Sequence, residues 1–323
     1  MLLGAVAIGG CGAQSTLDTH SRPAREIADL WWWMLAAAVV VLLGAIALLA
    51  VGWRQRHHAG LIGLGRLERH TTGLVVTFGI LVPLIVVTAV FAIANFSVAS
   101  VTNAPAVGST SMTIDVTGHQ WFWEVRYPGR GVVTANEIHI PVGTRINAVL
   151  RTADVIHSFW VPSLNRKADM IPGYPNRILL YADKPGVYRG QCAEFCGIEH
   201  ANMATTVIAE SAARFKAWLA HNAQPAASPV TPQQRAGLRV FEASSCASCH
   251  TIAGTPAHGE IGPDLTHVGG RTTLAALTIP NTPAQMRDWI LHPQRIKPGN
   301  RMPDLALTAP DADALVAYLE SLR

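Results

Sequence analysis

The chain has 323 residues, enough for about two or three domains, and a formal net charge of +4. Half of it is hydrophobic and only 14% is charged, which argues against a purely soluble protein and points to membrane spans. It has no basic run interleaved with aromatics, so nucleic acid is not an expected partner.

Residues Met1 to Gly10 are small and apolar and lead into Cys11. Ile8-Gly9-Gly10-Cys11 resembles a bacterial lipoprotein cleavage box, although the positive n-region of a signal peptide is missing. Residues 1–24 are read as a leader. Cys11 is a candidate for lipidation, and the alternative is a free cysteine in an unstructured leader.

Residues 25–103 read as a transmembrane hairpin. Leu30–Trp53 is uncharged, with Trp31, Trp32, Trp33 and Trp53 at its ends as an aromatic belt. Gly73–Val98 is a second uncharged apolar stretch, with Pro83 inside it predicting a kink. The loop between them carries Arg54, Arg56, Arg66 and Arg69 against Glu68. The positive-inside rule makes that loop cytoplasmic and puts both termini outside, at a bacterial cell membrane.

Residues 104–221 alternate short β-prone runs with Gly and Pro punctuation, for example Trp121–Tyr127 and Ile146–Leu150. This pattern predicts an all-β sandwich or barrel closed by a helix over Ala212–His221. Residues 222–230 read as a flexible linker. Residues 231–323 form a mostly helical unit, with Thr231-Pro232 and Thr308-Ala-Pro310 as helix starts.

Two cysteine pairs carry the chemistry. Cys192, Cys196, His200 and Met203 fall within twelve residues, and His157 is the candidate for a further imidazole. Thiolate, thioether and imidazole suit copper, and two thiols with three residues between them permit a bridged pair of metal ions. A single blue-copper ion, a zinc ion held by two cysteines and two histidines, and a Cys192–Cys196 disulfide are the alternatives. Cys246-Ala-Ser-Cys249-His250 is the attachment pattern for covalent haem c, with His250 as proximal ligand; a redox CxxC is the alternative. His119 and His139 are read as ordinary histidines, and so are His258, His267 and His292. Met286 is read as core.

Gly190-Gln-Cys192-Ala-Glu194-Phe-Cys196-Gly-Ile-Glu-His200-Ala-Asn-Met203 resembles the CuA loop of cytochrome c oxidase subunit II. Gly118-His-Gln-Trp121-Phe-Trp123-Glu124 and His157-Ser-Phe-Trp-Val-Pro resemble the same family, over residues 25 to 220. The resemblance implies a cupredoxin-like domain with two coppers bridged by Cys192 and Cys196. His157 and His200 each bind one copper, and Met203 and the Glu194 carbonyl are weak outer ligands. It also implies a magnesium ion at the Glu194 side chain, on the boundary with subunit I, and Trp121 as the surface where electrons arrive. One departure concerns the second span, which often carries a glutamate in the family; here the nearest acid is Glu68.

Lys297-Pro-Gly-Asn-Arg-Met302-Pro303 resembles the distal methionine loop of class I cytochromes c, with Met302 as second axial ligand. Gly262-Pro263 resembles the loop whose carbonyl orients the proximal histidine. The fusion resembles caa-type oxidases. It implies an electron-transfer subunit of a proton-translocating oxidase whose oxygen chemistry lies in subunit I. Subunits I and III are then partners, and cytochrome c or a cytochrome bc complex is the donor. Two further classes use related parts. A nitrous-oxide-reductase-like enzyme needs a histidine-rich copper domain that the sequence lacks, and a copper-delivery or redox-sensing protein needs an open metal site.

Overall fold

The computed structural model describes residues 14–55, 72–106 and 108–323. These form two units: the helical segment Arg22–Thr102, and residues 14–21 together with Asn103–Arg323. Cys11 and the loop residues Arg56, Arg66, Glu68 and Arg69 lie outside the described residues.

The helical unit consists of Arg22–Gln55 and Thr72–Thr102, each longer than the ~20 residues that cross a bilayer core. Their large apolar side chains, among them Trp33, Leu48, Val75 and Phe91, are exposed. Water does not tolerate so extensive an apolar surface, whereas lipid does. The first helix starts eight residues before the expected Leu30, because Pro23 in its first turn pre-sets the helical backbone. Near Pro83 the second helix widens into a π-helical turn, Thr77–Leu81. This turn accommodates the proline, which cannot bond its carbonyl four residues back.

In the second unit, ten strands form a sandwich of two five-stranded sheets. They are β1 Met112–His119, β2 Phe122–Tyr127, β3 Val132–Ala135, β4 Glu137–Pro141, β5 Ile146–Thr152, β6 His157–Trp160, β7 Ala168–Met170, β8 Asn176–Leu180, β9 Gly186–Cys192 and β10 Ala204–Glu210. One sheet runs β3-β2-β1-β5-β8, with β1 and β5 parallel; the other runs β4-β10-β9-β6-β7, with β4 and β10 parallel. Inward residues alternate along the strands, and Trp123, Tyr127, Phe159, Ile114 and Ile138 are fully buried between the sheets.

Residues 14–21, expected as part of a leader, pack on this sandwich. His20 N–H donates to the Ser163 carbonyl at 2.9 Å, and Asp183 N–H donates to the His20 carbonyl at 2.8 Å.

The C-terminal part is helical. Thr231 caps the helix Pro232–Ala243 in a full capping box with Gln234, and Thr308 caps Ala309–Leu319. These two helices pack together through Phe241 and Tyr318. The intervening segment 222–230, expected to be a flexible tether, is tied down. Ala226 N–H donates to the Ala253 carbonyl at 2.8 Å, and the His267 ring bonds the Gln224 carbonyl at 3.0 Å. The sandwich and the helical part therefore form one compact body.

Candidate functional site

Strand pairing assembles the first site. β6 and β9 are antiparallel neighbours with Phe159 opposite Cys192, so His157, two residues before Phe159, stands beside the end of β9. The loop after Cys192 returns to its origin. Cys192 N–H donates to the Met203 carbonyl and Ala193 N–H to the Ser158 carbonyl, each at 2.9 Å. Side chains 35 positions apart in the chain thereby meet.

The donor atoms converge in two halves. Cys192 Sγ lies 3.8 Å from His157 Nδ1, and Cys196 Sγ lies 3.6 Å from His200 Nδ1. The two sulfurs are 3.7 Å apart and unbonded. Met203 Sδ is 3.8 Å from Cys196 Sγ, and the Glu194 carbonyl is 3.2 Å from Cys192 Sγ. Both cysteines are buried, and His157 is completely so. His157, Cys192 and Cys196 have donors within 4.8 Å of one another, and His200 falls outside that group. A single tetrahedral ion wants all four donors equally close. One imidazole on each side of a thiol pair suits two ions.

The site is electrostatically prepared for metal. The hydrogen bond to Cys196 draws the Cys192 thiol down to about 3 against the effect of burial, and His157 adds to that pull. The same bond, then burial, pushes the Cys196 thiol far up. Metal ions bind the thiolate, so a lowered Cys192 pKa favours metal binding there. Burial lowers the pKa of His157, but its bonds to Asp154 and Cys192 outweigh this and the net direction is up. His157 Nε2 lies 2.8 Å from Asp154 Oδ1, which leaves Nδ1 facing Cys192.

Trp121 lies between the two candidate sites. Its Nε1 donates to the Cys196 carbonyl at 3.0 Å, and Gly197 (φ +114°) sits so close that a Cβ there would meet the indole at 2.8 Å. Trp121 also lines an apolar cavity formed mostly by the helical part.

Cys246, Cys249, His250 and Met302 all line that cavity. His250 Nδ1 donates to the Pro263 carbonyl at 2.7 Å, which fixes the tautomer and leaves Nε2 as the donor for a metal. Gly262 makes this possible, since a Cβ there would meet the His250 ring at 2.4 Å. Burial holds the His250 pKa below its ordinary value, so the ring is neutral and ligand-ready. Arg271 also lines the cavity, and its buried Nε has no partner among the described residues. A buried guanidinium with a spare donor fits an anionic group such as a carboxylate of a porphyrin. Met286 is buried in the helical core and also borders the cavity.

Two other histidines lie in the sandwich, and the buried His119 Nε2 has no hydrogen-bond partner among the described residues. His119 stacks on Phe122, and His139 stacks on Trp218 and bonds Glu210 at 3.0 Å. Sequence reading missed three residues of consequence: Asp154, Arg271 and Lys297. Asp154, three residues before a candidate ligand, had a signal in its spacing. The other two depend on tertiary approach and had none.

Residues 129–211 match the family model for the periplasmic domain of cytochrome c oxidase subunit II, and residues 234–323 match the cytochrome c model. Subunit 2 of cytochrome c oxidase from Alkalihalophilus pseudofirmus is 39% identical over 220 residues, 68% of this chain and 64% of that relative. The Bacillus sp. (strain PS3) subunit 2 is 31% identical over 226 residues, 66% of this chain and 63% of the relative. The chain thus spans somewhat less than two thirds of these relatives' lengths. The periplasmic domain of subunit II from Bradyrhizobium japonicum aligns over 36% of this chain and 96% of its own, at 32% identity and a TM-score of 0.35. With both family models matched in order behind two apolar helices, the chain belongs to the cytochrome c oxidase subunit II family and carries a C-terminal cytochrome c domain.

Proposed function

We propose that this chain is the electron-transfer subunit of a haem–copper terminal oxidase. Electrons pass from a donor through covalent haem c and a two-copper CuA centre to subunit I, where oxygen is reduced to water. The carrying observation is the donor geometry: two thiols 3.7 Å apart, each with its own imidazole at 3.6–3.8 Å. Cys192 and Cys196 would hold the copper pair between them, His157 and His200 would each serve one side, and Met203 and the Glu194 carbonyl would be the weak outer ligands. Bound there, the copper pair and the haem supply reversible one-electron carriers.

The chain's residues keep reorganisation small. Asp154 fixes the His157 ring, and the β6–β9 pairing fixes Cys192. Cys246 and Cys249 would attach the haem, His250 and Met302 would ligate its iron, and Arg271 would receive one of its carboxylates. Trp121 is the contact between the sites, since it lines the cavity and bonds the Cys196 carbonyl.

Two apolar helices support a two-pass membrane protein, with both termini and the redox domains on the periplasmic side. Subunits I and III are the partners, and cytochrome c or a bc complex is the donor. Among the described residues, the Glu194 side chain joins no cluster of three metal-ligating groups. A magnesium ion there takes its other ligands from subunit I. Cys11 is the candidate for lipid attachment.

Metal and haem analysis of the purified complex tests the reading. Two coppers and one covalent haem per chain are expected, with a mixed-valence two-copper signal. Fewer than two coppers after reconstitution, or a Cys192–Cys196 disulfide in the haem-loaded protein, rejects it.

A further inference from the structure

Lys297 opens the segment that leads to Met302, yet its ammonium does not face solvent. The residue is 2% exposed. Its Nζ donates to the Trp121 carbonyl at 2.8 Å, the Asn202 carbonyl at 2.7 Å and the Ala275 carbonyl at 3.2 Å. Ala275 belongs to the cytochrome part, and the other two acceptors belong to the copper domain. Trp121 is the indole bonded to the Cys196 carbonyl, and Asn202 precedes Met203. A single side chain from the haem loop therefore holds the backbone on two sides of the copper loop.

The surroundings fit this function. An ammonium taken out of water needs its three protons satisfied, and three carbonyls do that only while the two parts are docked. Glu199, itself buried, supplies negative charge nearby, and its carboxylate bonds the Asn202 side chain at 2.7 Å. Gly299 (φ +76°), two residues after Lys297, lies against the copper loop so closely that a Cβ there would meet Ile198 at 2.2 Å. A second anchor lies elsewhere on the interface. Buried Glu137 of β4 accepts from the Thr272 amide at 2.8 Å and from its hydroxyl at 2.5 Å.

We infer that Lys297 is a positioning residue that latches the cytochrome domain onto the copper loop and sets the register of the two redox centres for internal electron transfer. This inference rests on the two-centre reading above and adds that the cytochrome works docked, held by a named side chain.

The test uses the full-length chain in its assembled oxidase, with the K297M substitution, which keeps the side chain's length and removes its donors. Two readouts are followed. One is the rate of electron transfer from haem to copper after flash reduction of the haem. The other is hydrogen exchange at the Thr272 amide, which reports opening of the interface without reference to turnover. With the haem and copper absorption bands retained, K297M is expected to slow internal transfer by about ten-fold or more, since small misplacements carry penalties of that order. It is also expected to accelerate Thr272 exchange. Wild-type values of either readout, with both bands intact, overturn the latch. Should K297M lose a band, the same readouts on K297Q, which keeps one amide donor, decide on the same terms. An absent two-copper signal or absent internal transfer in the wild type refutes the underlying redox reading instead, so the two failures are distinguishable.

Discussion

The two ring nitrogens of His157 have different tasks: Nδ1 faces Cys192 at 3.8 Å, and Nε2 is bonded to Asp154 at 2.8 Å. Asp154 is itself fixed, accepting from the Gln120 and Val155 amides at 2.7 Å each. Burial works to raise the Asp154 pKa, but the bond to His157 and these amides outweigh it and the net direction is down, so the carboxylate stays ionised. A carboxylate behind a ligating imidazole fixes its orientation and raises its basicity. Asp154→Ala is expected to lower copper affinity by about 10–100-fold, as losses of such supporting bonds do. Haem content should be unchanged, because His250 has its own orienting group in the Pro263 carbonyl. Competition titration with a copper chelator measures the first, and the haem absorption band measures the second. Unchanged affinity would show that packing against Trp123, 6.0 Å away between ring centroids, suffices to orient His157.

At the level of elements, the helix Ala212–Asn222 closes the sandwich by stacking Trp218 on His139 at 4.0 Å, while His139 bonds Glu210 of β10. Burial lowers the His139 pKa, and Glu210 opposes this only in part. The unfolded chain then binds a proton at this position that the folded chain refuses, in the window below the ordinary 6.5. Stability from His139 is complete above about pH 6.5 and is lost as pH falls through that window. His139→Gln keeps a partner for Glu210 without titrating. Its unfolding temperature is expected to fall less steeply than wild type between about pH 6.5 and 5, and to start lower by the equivalent of about 1 kcal/mol of lost stacking. Thermal scans of the two proteins across pH check this.

The sequence was most legible where pattern is local. The apolar spans, the capped helices at Thr231 and Thr308, and the strands over Trp121–Tyr127 and Ile146–Leu150 rest on periodicity or on cap chemistry. Strands β6, β7 and β9 carry a weaker pattern. β6 and β7 are short, and β9 carries Gly186 and Gly190, so none presents a clean alternation. The candidate ligand side chains could be singled out because few residue types bind copper or haem. Their neighbours Lys297 and Arg271 were not, because what they touch is set by the docking of two domains.

For the whole molecule, the decisive difference concerns how the cytochrome reaches the copper domain. A flexible tether predicts repeated encounters governed by a high local concentration. The structure has instead a docked body whose buried contacts include Lys297 on the Trp121 and Asn202 carbonyls and Glu137 on Thr272. Its exposed contacts are minor: Arg126–Glu260 at 4.0 Å and Arg301–Asp154 at 3.8 Å. Salt screens the exposed pairs, with a Debye length falling from ~10 Å at ~0.1 M to ~3 Å at ~1 M, but has little access to the buried ones. Internal haem-to-copper transfer should therefore change by less than about two-fold over that range, because surface pairs of this kind contribute little. Charges are nearly balanced in both the copper domain and the cytochrome domain, so no long-range steering adds to the dependence. Flash-induced transfer measured at stepped ionic strength distinguishes the two pictures. A flat profile fits the latched unit, whereas a steep decline with salt would mean that the domains part and re-engage through surface charge on each turnover.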